Sequence, residues 1–216
     1  MQRMFSTMRN LDAGRVTLRK LMQMYERKTP ITMVTAYTAP QGHCAQAAQV
    51  PMVLVGDSAG MVEHGLPSPA AVTMDMMVQH TRAVVRGMHG TAPRPFIVAD
   101  LPTGSYLTTP AALANAFRFL QEAEADAVKL EGGRRMAGHV AAIAAAGLPV
   151  VGHIGLTPQS ASALSGFVVQ GRTGSAAAGL LLDALALQDA GCCAIVLECI
   201  PAAIAGHITR ALRVPT

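Results

Sequence analysis

Acidic side chains recur at the carboxyl ends of short apolar runs along this chain. Asp57, Asp100 and Glu198 each end or directly follow such a run. The runs are continuously apolar rather than alternating, as expected of strands buried on both faces of a parallel sheet. A carboxylate in this position is costly to desolvate unless something binds it. The sequence therefore predicts a site built from strand ends.

Two further runs supply a cation, a fourth carboxylate and a histidine. Lys129 and Glu131 are two residues apart at the end of one run, and His153 lies near the end of the next. Alternate side chains of a strand share a face, so Lys129 and Glu131 are expected to point into the same cleft.

The three carboxylates Asp57, Asp100 and Glu131 have the chemistry of a hard-cation site. Carboxylate oxygens suit Mg²⁺, which keeps several waters and lets substrate oxygens complete its octahedron. One such residue is more often a helix cap than a ligand, but three at successive strand ends are hard to explain by capping. We therefore predict Mg²⁺ binding at these residues.

Strands and helices alternate in the regions that carry these residues. Helices are predicted over 16–25, after a cap at Thr109 and Pro110, over 175–190 before Gly191, and from Pro201 onward. No glycine-rich nucleotide-binding turn follows the first strand, so a closed (β/α) barrel is favoured, and its strand ends surround one cleft. The predicted strands are residues 31–37, 52–56, 96–100, 127–130, 150–154 and 194–197.

A competing motif lies at residues 56–60, where Gly-Asp-Ser-Ala-Gly matches the nucleophile elbow of the α/β-hydrolases. Ser58, Asp100 and His153 even follow the hydrolase order. That elbow requires a helix directly after the serine, and the glycine and prolines within residues 65–69 make a long helix there improbable. We therefore favour the metal site over the hydrolase.

Composition limits the partners. The chain has 216 residues, a net charge of +4, 51% hydrophobic and 14% charged residues. No basic cluster is interleaved with aromatics, so nucleic acid is not expected, and the apolar runs are too short to span a membrane. The four cysteines form no C-x-x-C pair, which favours free thiols in a reducing compartment.

The first residues leave two interpretations open. Residues 1–14 are basic and nearly free of acids, which is typical of a mitochondrial transit peptide, but they also fit an ordinary leading segment. Residues 16–28 are better interpreted as a first helix. We divide the chain into this N-terminal segment and helix, residues 1–28, and a barrel domain, residues 29–216.

Six stretches taken together resemble the ketopantoate hydroxymethyltransferase family, in the family's order, from about residue 16 to the end. The G-H-I-G-L-T-P-Q stretch is highly specific, whereas V-G-D-S alone is weak. The stretches are V-G-D-S at 55–58, H-T-R-A-V at 80–84, A-D-L-P at 99–102, V-K-L-E-G-G at 128–133, G-H-I-G-L-T-P-Q-S at 152–160 and V-L-E-C-I-P at 196–201.

The resemblance implies a (β/α)₈ TIM-type barrel of the phosphoenolpyruvate/pyruvate-type superfamily. It implies transfer of a hydroxymethyl group from 5,10-methylenetetrahydrofolate to 3-methyl-2-oxobutanoate, which gives 2-dehydropantoate for pantothenate synthesis. The expected partners are this oxo acid and the folate, with a homo-oligomeric assembly. The expected location is the cytoplasm in a bacterium and the mitochondrion in a eukaryote.

The resemblance also implies a role for each site residue. Asp57 and Asp100 would bind Mg²⁺, with Glu131 in or next to its shell, and Glu198 would be the base that removes the C3 proton. The side chains implied to hold the oxo acid or line its cleft are Asp57, Ser58, Asp100, Lys129 and His153.

Three departures from the family pattern are visible. Thr38 stands where the family has Asp, Ser-Pro-Ala-Ala-Val-Thr at 68–73 replaces Ser-Thr-Leu-Pro-Val-Thr, and the sequence stops at 214–216, where a seventh strand is expected to start. We therefore expect strands seven and eight to be missing from this chain. Two alternatives stay open: a Mg²⁺-dependent oxo-acid lyase of a related barrel family, and a non-catalytic, truncated partner subunit.

Overall fold

A computed structural model describes residues 14–160 and 166–216, and shows six strands in these ranges. They are β1 (Met33–Thr35), β2 (Met52–Val55), β3 (Phe96–Asp100), β4 (Ala127–Glu131), β5 (Val150–Gly155) and β6 (Cys192–Glu198). The α-helices are α1 (Leu18–Glu26), α2 (Ala39–Ala47), α3 (Ala59–Val62), α4 (Met74–Gly87), α5 (Thr109–Ala123), α6 (Ala137–Ala145), α7 (Gly174–Asp189) and α8 (Ala202–Ala211).

The six strands form one parallel sheet in the order β1-β2-β3-β4-β5-β6. Each strand therefore lies beside its neighbour in sequence, as in a (β/α) barrel, and all carboxyl ends lie along one edge. On the side of β6 away from β5, the amide of Ile195 donates to the carbonyl of Pro215 over 3.0 Å. This bond lies next to the position where the sequence predicts a seventh strand.

Alternating strand residues divide the core into two layers. One set, which includes Val53, Ile97 and Val128, packs against the helices. The other set packs against Leu21 of α1 and consists of Met52, Phe96, Val98, Ala127 and Val151. The same alternate positions, nearer the carboxyl ends of the strands, are occupied by polar residues. These are Asp100, Lys129, Glu131, His153 and Glu198. The polar residues therefore continue one face of the sheet beyond its apolar layer.

The predicted elements are all present, with shifts at their ends. The predicted cap at Thr109 is wrong by one residue: Thr108 is the cap, and its hydroxyl accepts from the Ala111 amide over 3.4 Å. A hydroxyl at either position satisfies the cap pattern, so the sequence does not distinguish them. The helix predicted before Gly191 ends at Asp189, and Gly191 has the positive φ expected of a terminator.

The segment before α1 is joined to the amino-terminal edge of the sheet. The Val16 amide donates to Arg94 O over 2.7 Å, and Arg15 and Arg94 both pair with the buried carboxylate of Asp126. The transit-peptide interpretation falls on residues 1–14, almost entirely outside the described residues. In the part of the chain that the structure describes, no helix has the length and apolar character that a membrane span requires.

Helices α2 and α4 approach each other closely at two glycines. A Cβ built on Gly87 would lie 1.9 Å from Ala39 O, and one on Gly42 would lie 2.3 Å from Val84 O. Real Cβ atoms do not come this near to backbone, so the two helices pack at this distance only because neither position carries a side chain.

We expect Gly87→Ala to destabilise the fold by about 1–3 kcal/mol, because the added methyl forces the two helices apart. Gly179→Ala is the matched control, since Gly179 lies inside α7 and a Cβ added there would meet no atom within 4 Å. There alanine should stabilise by roughly 0.5–1 kcal/mol. Denaturant unfolding of both variants measures the difference, and equal stabilities would contradict the close packing.

Candidate active site

A buried ion pair lies at the centre of the carboxyl edge. Lys129 Nζ lies 2.5 Å from Asp100 Oδ1, and both side chains are almost fully buried. The Asp57 amide donates to Asp100 Oδ2 over 3.2 Å. A Cβ on Gly56 would lie 2.9 Å from Ser58 Oγ and 3.4 Å from Asp100 Oδ2, so a glycine suits this turn. The structure thus brings together three of the predicted site residues, on β3, β4 and the turn after β2.

The acidic and basic groups of this cluster perturb one another's pKa values. Burial, together with the neighbouring Asp100 carboxylate, raises the pKa of Asp57 to about 7. Burial would lower the pKa of Lys129, but the carboxylates of Asp100 and Glu131 outweigh it and hold that pKa above its ordinary value. A positive charge placed beside Asp57 would relieve the repulsion that raises its pKa.

His153 connects the two glutamates of the site. Its Nδ1 lies 3.3 Å from Glu131 Oε1, and its Nε2 lies 3.0 Å from Glu198 Oε2. Burial would lower the pKa of His153, but hydrogen bonds to the two glutamates outweigh it and raise that pKa. The same hydrogen bond from His153 lowers the pKa of Glu198. Glu198 is therefore held as a carboxylate, and its side chain is 41% exposed.

Ser58 is not placed as a nucleophile. Its Oγ lies 2.8 Å from the hydroxyl of Tyr37, whereas the imidazole of His153 pairs with the glutamates. The helix that follows, α3, has only four residues, which confirms the prediction that no long helix follows the serine. The structure therefore disfavours the hydrolase interpretation and leaves Ser58 as a hydroxyl beside Asp57.

Gln159 is a site residue that the sequence-based assignment missed. It lies in the 3₁₀ turn Pro158–Ser160 after β5, and its side-chain amide donates to Asp57 Oδ2 over 2.8 Å. Its backbone amide donates to Glu131 Oε2 over 3.0 Å. The available signal was its place in the specific G-H-I-G-L-T-P-Q stretch, but nothing in that pattern indicates which strand ends it contacts.

The donor set fits a cation that needs few protein ligands. Among the residues that the structure describes, no three His, Cys, Asp or Glu side chains converge into a complete metal cage. Mg²⁺ is commonly bound by only one or two carboxylates, with waters and substrate oxygens as its other ligands. Asp57 and Asp100 would supply these two carboxylates. Both oxygens of Asp100 also contact Lys129 and the Asp57 amide, as both oxygens of Glu131 contact His153 and Gln159.

A small cavity of about 240 Å³ adjoins the site between the loops that follow β3, β4 and β5. Its lining includes Tyr106, Glu131, Arg135, His139 and Gln159. A separate apolar cavity of about 450 Å³ lies against α1, and none of the predicted site residues lines it. Room for a second molecule beside the site is therefore present at its Glu131 side.

Solved structures with the same architecture define the class. Oxaloacetate acetylhydrolase in complex with oxalate matches with a TM-score of 0.67 and 14% identity, over 93% of this chain and 70% of that one. A 2,3-dimethylmalate lyase of the PEP mutase/isocitrate lyase superfamily matches with a TM-score of 0.67 and 15% identity, over 92% and 69%. The fold is that of this superfamily's α/β barrels, as the sequence predicts; at these identities the likeness concerns the fold alone.

Sequence comparison identifies the family within that class. The family model described as ketopantoate hydroxymethyltransferase matches residues 15–216. A 3-methyl-2-oxobutanoate hydroxymethyltransferase of Moorella thermoacetica is 53% identical over 94% of this chain and 74% of its own length. One of Oryza sativa, named as mitochondrial, is 48% identical over 94% of this chain and 50% of its own length. The chain belongs to the ketopantoate hydroxymethyltransferase family and is a hydroxymethyltransferase.

Proposed function

We propose that the chain transfers a hydroxymethyl group from 5,10-methylenetetrahydrofolate to 3-methyl-2-oxobutanoate in a Mg²⁺-dependent reaction that gives 2-dehydropantoate. The observation that carries this proposal is the arrangement of the buried Lys129–Asp100 pair beside Asp57, with Glu198 beyond His153. The names of the relatives support the oxo acid as acceptor.

Asp57 and Asp100 are the residues that we propose to hold Mg²⁺, with Glu131 next to its shell. Their burial and the pKa of Asp57, raised to about 7, support a bound cation at this point. When bound, the ion would withdraw charge from the carboxylate and 2-oxo oxygens of the substrate and so acidify its C3 proton.

Lys129 and Ser58 are proposed to orient the oxo acid. The ammonium of Lys129 is fixed by Asp100, so it offers a positive charge whose position is set before the substrate binds. The hydroxyl of Ser58 is held by Tyr37 at the same end of the cleft. Both groups are suited to the carboxylate and oxo oxygens of a small 2-oxo acid.

Glu198 is proposed as the base. Its carboxylate takes the C3 proton of the substrate, and the electron pair left on C3 forms the new carbon–carbon bond to the methylene carbon of the folate. Both bonds from that carbon to the folate nitrogens break, and one water supplies the hydroxyl oxygen. Tetrahydrofolate leaves with its two nitrogens protonated by the C3 proton and by the remaining proton of the water. The contact with His153 lowers the pKa of Glu198 and so keeps Glu198 ionised before the step. The 41% exposure of its side chain supports contact with a molecule in the cleft.

The folate is proposed to approach from the side of the 240 Å³ cavity, which adjoins Glu131 and is bordered by Arg135 and His139. The guanidinium of Arg135 suits a carboxylate of a folate.

The test is product formation from 3-methyl-2-oxobutanoate and 5,10-methylenetetrahydrofolate, followed by mass spectrometry with and without Mg²⁺. We expect 2-dehydropantoate only when the folate, the oxo acid and Mg²⁺ are all present. Product formed equally well from formaldehyde alone, or in the presence of a strong chelator, would contradict the proposed donor or the proposed metal respectively.

A further inference from the structure

The turn after β5 contacts the ends of the three preceding strands through one residue. Gln159 donates from its backbone amide to Glu131, which ends β4, and from its side chain to Asp57, which follows β2. Its side-chain nitrogen also donates to the carbonyl of Leu101, just beyond β3, over 2.9 Å. A glutamine that served only to hold one loop would not need partners on all three strand ends.

The orientation of this amide is fixed by its neighbours. Two acceptors, Asp57 Oδ2 and Leu101 O, face Nε2, so exchanging the amide nitrogen and oxygen would place oxygen against oxygen. On the other side, the Tyr106 hydroxyl accepts from the Glu131 amide over 3.4 Å and donates to Gln159 Oε1 over 2.5 Å. One assignment alone satisfies every donor and acceptor.

We propose that Gln159 is a positioning residue for the Asp57 carboxylate, holding Oδ2 so that Oδ1 is presented to the bound cation. This inference rests on the proposed metal site. A neutral amide is suited to this task because it fixes a carboxylate without supplying the charge that the cation must supply. Tyr106 acts on Asp57 only through Gln159, because its hydroxyl fixes the orientation of the Gln159 side-chain amide.

The expected effect is on metal affinity. Partners of metal-ligating carboxylates typically change metal affinity by about 10–100-fold when they are removed. Gln159→Met keeps the length of the side chain but removes its hydrogen bonds, so we expect the Kd for Mn²⁺ to rise within that range. Tyr106→Phe keeps the ring and the amide and should give a smaller rise in the same direction.

The experiment is a titration of the purified protein with Mn²⁺, which accepts the same oxygen ligands as Mg²⁺ and is followed by electron paramagnetic resonance. Gln46→Met is the matched control, because Gln46 is also a buried glutamine whose amide bonds to loop carbonyls, those of Gly90 and Ala92. We expect Gln46→Met to lower the melting temperature and to leave the Mn²⁺ Kd unchanged.

Asp57→Asn separates this inference from the metal site on which it rests. If Asp57→Asn abolishes Mn²⁺ binding while Gln159→Met and Tyr106→Phe both bind with the unaltered Kd, the role of Gln159 is overturned and the metal site stands. If Asp57→Asn also binds Mn²⁺ with the unaltered Kd, or if the unaltered protein binds no Mn²⁺, the metal assignment fails and the role of Gln159 fails with it. Should Gln159→Met not fold, the Tyr106→Phe result decides the question.

Discussion

Replacing Glu198 by glutamine should slow exchange of the C3 proton of 3-methyl-2-oxobutanoate with solvent deuterium by about 10²–10⁴-fold, the usual contribution of a general base. Glutamine keeps the size of the side chain and can still bond to His153, so binding of the oxo acid should persist. Proton NMR in deuterated water follows the exchange directly and needs no folate.

A surface glutamate provides the control for this variant. Glu122 lies on α5 and pairs with Arg118 at the surface, so Glu122→Gln should leave the exchange rate unchanged. If Glu198→Gln exchanges at the unaltered rate, another group removes the proton. In that case the ion pair between His153 and Glu198 has a structural role instead.

Removing the carboxylate of Asp57 should abolish Mg²⁺-dependent exchange of the C3 proton. The pH dependence of the Mg²⁺ affinity should show that Asp57 is the group whose protonation competes with the metal. Because burial and Asp100 raise the pKa of Asp57 to about 7, the carboxyl is protonated below that pH and a proton competes with the metal. Mg²⁺ affinity should therefore fall roughly tenfold per unit as the pH drops below about 7 and level off above it. Calorimetric titration across this range measures the affinity.

Asp126→Asn is the matched control for Asp57→Ala, because Asp126 is also a buried aspartate but lies at the amino end of β4, where it pairs with Arg94. That variant should lose stability and keep its Mg²⁺ affinity. Full Mg²⁺-dependent exchange by Asp57→Ala and by Asp100→Ala would show that the metal assignment is wrong.

The positions of the charged side chains follow from the sequence because a strand has a period of two. Lys129 and Glu131 share a face for that reason, and both lie in the cleft, where Lys129 pairs with Asp100. Parallel pairing of consecutive strands then brings residues that are distant in the sequence, such as Asp100 and Glu198, to one edge. These are consequences of backbone geometry, which apolar runs are sufficient to indicate.

The hydrogen bonds around Gln159 and His153 could not be predicted in the same way. Gln159 lies in a turn, where no periodicity fixes the direction of a side chain, and its partners belong to three different strand ends. His153 was expected to line the cleft, but its position between Glu131 and Glu198 depends on the register of β5 against β4 and β6. Register follows from packing of the whole sheet rather than from any single run.

The most direct test of the account is deuterium exchange at C3 of 3-methyl-2-oxobutanoate by the unaltered protein, measured by NMR in the absence of folate. We predict exchange that requires Mg²⁺ and stops when a chelator is added, since Asp57, Asp100 and Glu198 suffice for proton removal. Exchange that is insensitive to chelation, or cleavage of a 2-hydroxy dicarboxylic acid with no exchange of the oxo acid, would contradict the account.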